Sequence, residues 1–350
     1  MAYTSIDDPS VYFQTALHTG NASTQSIVND GNSDLQPDWV WIKGRTTNSH
    51  HAIFDAVRGV TKRISASENN AETTESAGLT SFNTDGWSTG SWSGSNANTK
   101  NYVSWQWKVG GAGSENTTGD LTVTALSVNQ TAGISIGKIT DGFTSTGSNS
   151  ETIGHGLGYV PKMIIIKNAE ATSNWDMYHV GIGNTKKVKL NLADAAADST
   201  LFDNTTPTSS VWSVRGGDFG TGEDIVFYAF ADVQGYQKIG SYKGNGNANG
   251  TFVHTGFKPA FVMAKRAIGG NGSWWMRDNK IAPFNLASQV LAANSAGAET
   301  NGVATMDILS NGFKLRDTTD ATNNSSGTYI YWAIAENPFV TSTGVPACAR

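Results

Sequence analysis

Two hydrophobic blocks recur three times along the chain, and they predict β-strands. The first block follows a proline, is apolar at consecutive positions and ends on a lysine. Its copies are PDWVWIK (37–43), PKMIIIK (161–167) and PAFVMAK (259–265). The second block alternates bulky apolar residues with others, with copies YVSWQW (102–107), IVFYAF (225–230) and YIYWAI (329–334). An alternation of period two is typical of a strand with one buried face.

The first block indicates a strand that is covered on both faces. Its apolar run is too short for a helix and is rich in residues that favour strands. Asp-Gly and Asn-Gly turns and loops of Ser, Thr, Asn and Gly separate further short strands. We therefore predict an all-β fold of three tandem antiparallel β-sandwich modules, of the jelly-roll or concanavalin-like kind. Only residues 192–201 and 286–293 suggest short helical insertions.

The spacing of the copies sets the predicted domain organisation. The prolines of successive copies, Pro37, Pro161 and Pro259, lie 124 and 98 residues apart, well beyond the roughly 20 to 50 residues of a solenoid repeat. Each copy should therefore be domain-sized, with its own core. The predicted modules are residues 1–109, 110–233 and 234–350, arranged in a row. A Gly-rich stretch, 110–119, has the composition of a flexible linker in front of the second module.

Composition and charge exclude several classes of protein. Charged residues make up 15 %, and the net charge of -5 offers no basic surface for nucleic acid. No apolar stretch is long enough for a membrane helix and the first residues lack a signal-peptide pattern, so we expect synthesis in a cytoplasm and no membrane insertion. The single cysteine, Cys348, cannot form an intrachain disulfide.

Catalytic and metal-binding patterns are sparse. The acidic pair Glu223 and Asp224 is adjacent, so the two side chains of a strand would diverge instead of forming the carboxylate pair of a glycosidase. The nearest match to a nucleophile elbow, 90–94, has Trp at its centre, where the nucleophilic serine would stand, and lies in a low-complexity loop. His50 and His51 are adjacent and lack the spacing of metal ligands. We predict no catalytic residue, no metal and no cofactor.

The aromatic residues fall into two groups. Trp105, Tyr228 and Trp332 have the inward parity of the second block, so we assign them to the structural core. Five tryptophans lie beside polar turns, where an exposed ring could stack on a sugar, and packing inside the core remains the alternative. These candidate glycan-binding residues are Trp87, Trp92, Trp212, Trp274 and Trp275.

Three phrases of the sequence resemble virion structural and tail proteins of tailed bacteriophages, in particular those of marine bacteria and cyanobacteria. The phrases are QPDWVWIK (36–43), HGLGYVPKMIIIK (155–167) and YIYWAIAENPF (329–339). The resemblance spans nearly the whole chain. It implies a non-enzymatic particle component that contacts other virion proteins and host-surface polysaccharide, and it transfers no catalytic residue.

The expected function is therefore a tail fibre or tail-associated component for host recognition, located in the virion and assembled in the host bacterial cytoplasm. We expect a homo-oligomer, with a trimer as one option. The alternatives are a capsid decoration protein, a lectin-like carbohydrate-binding module and, with less support, a polysaccharide hydrolase.

Overall fold

A computed structural model describes residues 3–143, 149–215, 219 and 221–348. Strands make up 46 % and helices 2 % of the chain, so the all-β class with antiparallel sheets is confirmed. The described helices are a 3₁₀ turn at Pro9–Val11 and the four-residue α1 at Ser93–Asn96. Neither is long and apolar enough to cross a membrane. Below, segments I, II and III denote residues 1–109, 110–233 and 234–350.

Segment I forms two main sheets that face each other, together with a small two-stranded sheet. Its strands are β1 (Phe13–Thr19), β2 (Gln25–Ile27), β3 (Trp39–Gly44), β4 (Ala52–Asp55), β5 (Lys62–Arg63), β6 (Thr73–Thr74), β7 (Leu79–Phe82), β8 (Trp87–Thr89) and β9 (Asn101–Trp107). The larger sheet has the order β1-β9-β3-β4, the smaller has the order β2-β8-β7, and the two-stranded sheet is β5-β6. Apolar side chains from both sheets, including Val40, Phe54 and Trp87, fill the layer between them.

The central strands of segment II have the same order as the larger sheet of segment I. Its strands are β10 (Ser114–Asn116), β11 (Val123–Asn129), β12 (Ile134–Ile139), β13 (Ser150–Gly154), β14 (Met163–Asn168), β15 (Asp176–His179), β16 (Gly183–Lys189), β17 (Ala197–Asp198), β18 (Val211–Arg215) and β19 (Ile225–Phe230). The large sheet has the order β10-β11-β12-β19-β14-β15-β16-β17. The two-stranded antiparallel sheet β13-β18 covers its outer face, with Ile153 and Trp212 in a second core cluster.

Segment III forms one eight-stranded sheet, in the order β20-β27-β22-β23-β24-β25-β26-β21. Its strands are β20 (Gln237–Lys243), β21 (Phe252–His254), β22 (Phe257–Ile268), β23 (Trp275–Asp278), β24 (Ala287–Ala292), β25 (Thr300–Leu309), β26 (Gly312–Leu315) and β27 (Thr328–Pro338). In all three segments the strand of the second block lies between the opening strand and the strand after the proline, as β9, β19 and β27 do.

Two local expectations are wrong. Residues 286–293 and 192–201 contain strands β24 and β17, and no helix, because pairing with β25 and β16 satisfies the backbone there. The Gly-rich stretch 110–119 is not a free linker, since β10 within it pairs with β11. Among the described residues, every ladder between named strands joins strands of one segment.

The largest hydrophobic core is shared by all three segments. Trp39 and Trp107 of segment I stack at 4.0 Å, Trp107 stacks on Trp332 of segment III at 5.5 Å, and Trp39 stacks on Tyr228 of segment II at 5.0 Å. The expectation of three modules in a row, each with a separate core, is therefore wrong in this respect. The large sheets turn one face toward each other because that face carries most of their aromatic area.

The shared core explains why the strands after the prolines are apolar at consecutive positions. β3 and β14 are buried along their whole length, and β22 is buried over most of it. In segment I, Trp39 and Trp41 face the shared core, whereas Val40 and Ile42 face the segment's own sandwich layer. Burial on both faces is thus confirmed, and the second face is covered by the other segments.

Candidate functional site

The contact between two segments, here called a seam, carries the same hydrogen bond from a buried ring in all three cases. In each segment one aromatic ring stands directly before the strand that pairs with β3, β14 or β22. The ring N–H donates to a backbone carbonyl of the neighbouring segment. The bonds are His51 Nε2 to Ala292 O (3.0 Å), Trp175 Nε1 to Ser65 O (2.8 Å) and Trp274 Nε1 to Lys189 O (2.8 Å). They belong to the I–III, I–II and II–III seams.

Three lysines cross the same seams. They are the last residues of the proline blocks, and all three are fully buried. Each Nζ donates to a carbonyl of the next segment: Lys43 to Ala296 (3.2 Å), Lys167 to Asn69 (3.2 Å) and Lys265 to Leu192 (3.3 Å). Burial lowers the pKa of each lysine to about 8, because the ammonium ion loses hydration.

The other end of the I–II seam holds a buried charge network. Tyr228 OH donates to Asp55 Oδ2 at 2.7 Å, and Arg58 binds the same oxygen at 2.7 Å. The side chains of Asp55 and Arg58 are 0 % and 1 % exposed. Arg58 also binds Glu72 at 3.1 Å. Despite burial, Asp55 raises the pKa of Arg58, while burial raises the pKa of Tyr228. The guanidinium therefore stays charged and the phenol stays neutral.

The matching positions of the other seams are less charged. At the I–III seam, Trp105 Nε1 donates to Asp278 Oδ2 at 2.9 Å. Burial raises the pKa of Asp278, while backbone N–H groups and Trp105 oppose that shift. At the II–III seam, His179 Nε2 lies 3.2 Å from Tyr331 O and burial lowers the pKa of His179 to about 4.

The I–III seam also contains an open cavity of about 350 Å³. One wall comes from segment I and consists of residues before and at the start of β1 and the loop that follows β2. The other wall comes from segment III and consists of the first part of β22, the residues after β23 and the last part of β27. The side chains around it are mainly carboxylates, amides and hydroxyls. The lining residues are Asp8, Ser10, Phe13, Gln14, Thr15, Asp30, Gly31, Asn32, Ala260, Asn279, Lys280, Ala335, Glu336 and Asn337. This cavity is the candidate binding site.

Thr15 is the unusual residue of this cavity. It is 4 % exposed, and its Oγ1 has no hydrogen-bond partner. It lies opposite Trp105 in the β1-β9 ladder. The residues opposite Tyr228 and Trp332 in segments II and III are Ile136 and Ile239. A position that is aliphatic in two segments therefore carries a buried hydroxyl in segment I, on the side of β1 that faces the shared core with Trp105.

The charged groups of the cavity are already partnered. Lys280 Nζ binds Asp30 at 2.7 Å across the seam. Glu336 pairs with Lys258 at 2.8 Å. Asp8 accepts hydrogen bonds from Ser10 and Ser33, at 2.6 Å and 2.8 Å. Lys280 and Lys258 each pair with one of the three carboxylates, so Asp8 alone leaves the cavity with a small negative charge.

Chemistry of other kinds has little support in the described part of the chain. No group of three or more His, Cys, Asp or Glu side chains is placed there to hold a metal ion. His51 accepts from Trp41 Nε1 at Nδ1 and binds a carbonyl through Nε2, so both ring nitrogens are used in packing. Burial lowers the pKa of His51 to about 3.

The three aromatic residues assigned to the core lie in the shared core. Trp105, Tyr228 and Trp332 are 0 %, 0 % and 1 % exposed. Their positions on the second hydrophobic block therefore place them where the strand alternation predicts.

Three of the five candidate glycan-binding tryptophans are inside the protein. Trp87, Trp212 and Trp274 are at most 1 % exposed, so none offers a ring face to a sugar. Trp87 Nε1 binds Ser104, and Trp274 Nε1 joins the II–III seam. Their assignment as glycan-binding residues is wrong, because a neighbouring polar turn does not prevent a second sheet or segment from covering the ring.

Trp92 and Trp275 remain partly exposed. Arg63 lies over the Trp92 ring, 5.2 Å from its centroid, which occupies one face of that ring. Neither residue lines the I–III cavity. The structure thus does not bring the five tryptophans together into one site.

The sequence contained one signal for the cavity that the search for aromatic and acidic motifs missed. Aligning the opening strands of the three repeats places Thr15 beside Ile136 and Ile239. A polar residue at a position that is otherwise aliphatic would have marked β1. The remaining wall residues come from loops of different segments and share no motif.

Comparison with known proteins identifies a family without a function. The family model DUF7483, described as a domain of unknown function, matches residues 8–338. The chain belongs to this family. No curated protein matches it, and no solved structure does. The match spans all three segments, so the family corresponds to the whole assembly around the shared core.

Proposed function

We propose that the protein is a non-enzymatic structural component of a bacteriophage virion, a tail fibre or tail-associated protein that contributes to host recognition. The three phrases that resemble virion proteins support this, and each of them contains a strand of the shared core. The observation that carries the proposal is the repetition of the same buried bonds at all three seams. Such a body is rigid without disulfides, as a particle component must be.

Within this proposal the three segments are modules of one kind, packed around a pseudo-threefold axis. The support is positional: the ring donors, the lysines and the second hydrophobic blocks occupy equivalent ladder positions in each segment. Backbone bonds also run in a cycle around the axis. They are Glu72 N to Ala169 O, Ala196 N to Ala267 O and Glu299 N to Arg45 O.

A threefold body suits attachment at a threefold position of a larger particle. A trimeric tail fibre offers such a position on its axis. A threefold position on a capsid offers another, which is why capsid decoration is the second candidate. In both cases one chain would present three similar faces to three copies of its partner.

Quantitative mass spectrometry of particles purified from the phage that encodes the chain tests the proposal. We expect many copies in a fixed ratio to a major structural protein, and absence from the particles would overturn it. Gold labelling of a tagged chain then separates the candidates: label on the tail supports the fibre, and label on the head replaces it with capsid decoration. Release of reducing ends from a polysaccharide panel would overturn the non-enzymatic assignment.

A further inference from the structure

We infer that the I–III cavity accepts an extended segment of another protein chain, which adds to the free edge of β1 as a β-strand. The inference stands on the geometry of the three seams and goes beyond the proposed function. A chain that binds such a segment but is missing from particles would keep this inference and lose the proposed function. A particle protein that binds no added strand would do the reverse.

Strand β1 has a free edge. Lys108 N donates to Tyr12 O at 3.0 Å. Because hydrogen bonds alternate along an antiparallel pair, the even-numbered residues of β1 bond to β9 and the odd-numbered residues turn their N–H and C=O groups away from it. Within the described part of the chain, no hydrogen bond reaches these outward groups at Phe13 or Thr15.

At the I–II seam the same edge is closed by a strand. Ile134 and Ile136 of β12 hold the ladder positions that Phe13 and Thr15 hold in β1. Both isoleucines pair with β11. The outward backbone groups of β12 are therefore satisfied inside segment II, in the way that a sheet requires of its buried strands.

At the II–III seam the edge is closed by the chain that enters segment III. Gln237 N and O bond to Val233 at 2.9 Å, and Ile239 N bonds to Asp232 Oδ1 at 2.8 Å. Gln237 and Ile239 are the β20 counterparts of the outward residues of β1. This edge is thus paired at two seams, and the I–III seam is the exception.

The I–III cavity lies along the free edge of β1. Three consecutive residues, 13–15, line it, and consecutive side chains point to opposite faces of a strand. A cavity that touches both parities therefore borders the edge and not one face. The residues in front of β1 turn elsewhere, since Tyr3 Oη and Thr4 Oγ1 donate to the carbonyls of Gly256 and Gln234.

The opposite wall corresponds to the one that holds β11. At the I–II seam, Asn129 Nδ2 of β11 donates to Lys108 O at 3.2 Å. In segment III, residues 335–337 follow β27 at the ladder positions that 108–110 hold after β9, and they line the cavity. The space beside β1 is thus the counterpart of the space that β11 occupies.

Strand β11 indicates the chemistry of the partner segment. Its Leu126 and Val128 pack into the sandwich core of segment II, whereas Ser127 and Asn129 bond to segment I. The partner segment should likewise alternate apolar residues with small polar ones, while its main chain supplies the hydrogen bonds. It should be neutral or basic, because Asp8 leaves the cavity with a small negative charge.

A peptide copy of β11 tests the inference on the full chain. The probe is VTALSVNQ (123–130) with blocked ends, and backbone amide exchange measured by NMR locates the contact. Without peptide, the amides of Phe13 and Thr15 should exchange at least about tenfold faster than those of Ile134 and Ile136. The peptide should slow the first two amides saturably, with a Kd on the order of 100 µM.

Two N-methylated peptides separate strand pairing from general adhesion. Methylation at Ser127 of the probe removes an N–H that β11 directs toward β12, whereas methylation at Leu126 removes one that β11 directs toward β10. The first change should weaken binding at least about tenfold, and the second should leave it within about twofold.

Two variants of the chain probe the edge itself. Thr15→Pro removes the outward N–H and places the proline ring at an edge strand, where proline is tolerated, so peptide binding should be lost. Thr15→Val changes the same side chain but keeps the backbone N–H, and it should bind as the wild type does. If Thr15→Pro fails to fold, the methylated peptides decide the question on the wild-type chain.

Four outcomes would overturn the inference. The first is exchange at Phe13 and Thr15 as slow as at their β12 counterparts, which would show that the edge is already paired. The second is no slowing of these amides at about ten times the expected Kd. The third is equal affinity for the two methylated peptides. The fourth is dimerisation of the wild type that Thr15→Pro abolishes, which would make a second copy of the chain the occupant.

Discussion

The I–II and I–III seams show how one packing scheme can be closed in one place and open in another. At the I–II seam, Ile136 faces the shared core and Val57 packs against it. At the equivalent positions of the I–III seam stand Thr15 and Lys280, and Lys280 extends across the cavity to Asp30. The I–II seam thus has two aliphatic residues at these positions, whereas the I–III seam has a hydroxyl and a charged side chain there, beside the cavity.

The ion pairs at the two seams also differ in burial, and again the I–III seam is the more accessible one. Arg58 and Asp55 at the I–II seam are buried and joined to Tyr228, whereas Arg45 and Glu299 at the I–III seam pair at 2.6 Å with side chains 20 % and 16 % exposed. A shared scaffold thus tolerates a tight, structural seam beside a looser one.

The largest expected effect comes from breaking the buried pair. Arg58→Ala leaves Asp55 as a buried carboxylate without its cation, which should lower the free energy of unfolding by about 3 to 5 kcal/mol. Arg45→Ala removes the more accessible ion pair of the I–III seam and should cost about 1 kcal/mol or less. Urea unfolding followed by tryptophan fluorescence measures both. Equal losses would show that the two seams do not differ in this way.

Acid should weaken the I–III seam through His51. Its pKa is about 3 in the folded protein against about 6.5 in the unfolded chain. Its stabilising contribution is complete above pH 6.5 and is lost as the pH falls toward 3, because only the unfolded chain takes up the proton. Between pH 7.5 and pH 5 we expect a loss of about 2 kcal/mol.

The control for this prediction is His51→Gln, measured at both pH values. The free-energy difference between them should shrink by about 2 kcal/mol relative to the wild type. Trp175 holds the same place at the I–II seam and does not titrate, so a variant there should keep the wild-type pH dependence. An unchanged pH dependence in His51→Gln would contradict the assigned pKa.

The three lysines should act alike at all seams. Each has a folded pKa of about 8 against about 10.4 when unfolded. Raising the pH within this window removes protons from the folded protein only, so stability should rise. Between pH 7.5 and pH 9 we expect about 1 kcal/mol for each lysine. Replacing Lys43, Lys167 or Lys265 by Met should each remove about one third of the rise. Unequal contributions of the three lysines to the rise in stability would show that the seams also differ where the lysines cross them.

The smallest effect concerns the cavity. Thr15→Ile introduces the residue of the other two segments and replaces the unpartnered hydroxyl with an aliphatic group. The free energy of unfolding should stay within about 1 kcal/mol of the wild type or increase. Thermal and urea unfolding measure it. A loss above about 2 kcal/mol would mean that this position of β1 cannot accept the packing seen at Ile136 and Ile239.

How much the sequence predicts depends on the distance over which the deciding contact acts. The burial of β3 and β14 follows from consecutive apolar residues, and the placement of Trp105 follows from alternation along one strand. The burial of Trp87 and Trp274 does not follow, because each ring is covered by side chains from a different sheet or a different segment. The polar turn beside each ring in the sequence does not indicate which side chains of another sheet or segment will bury it.

The sequence by itself determined the strands, their inward faces and their threefold recurrence, because these depend on local periodicity within about ten residues. Tertiary structure alone decided that the three sheets share one aromatic core, that the lysines bind carbonyls of another segment, and that the I–III seam is open. Those outcomes depend on which surfaces, a hundred or more residues apart in the chain, come into contact when apolar area leaves water.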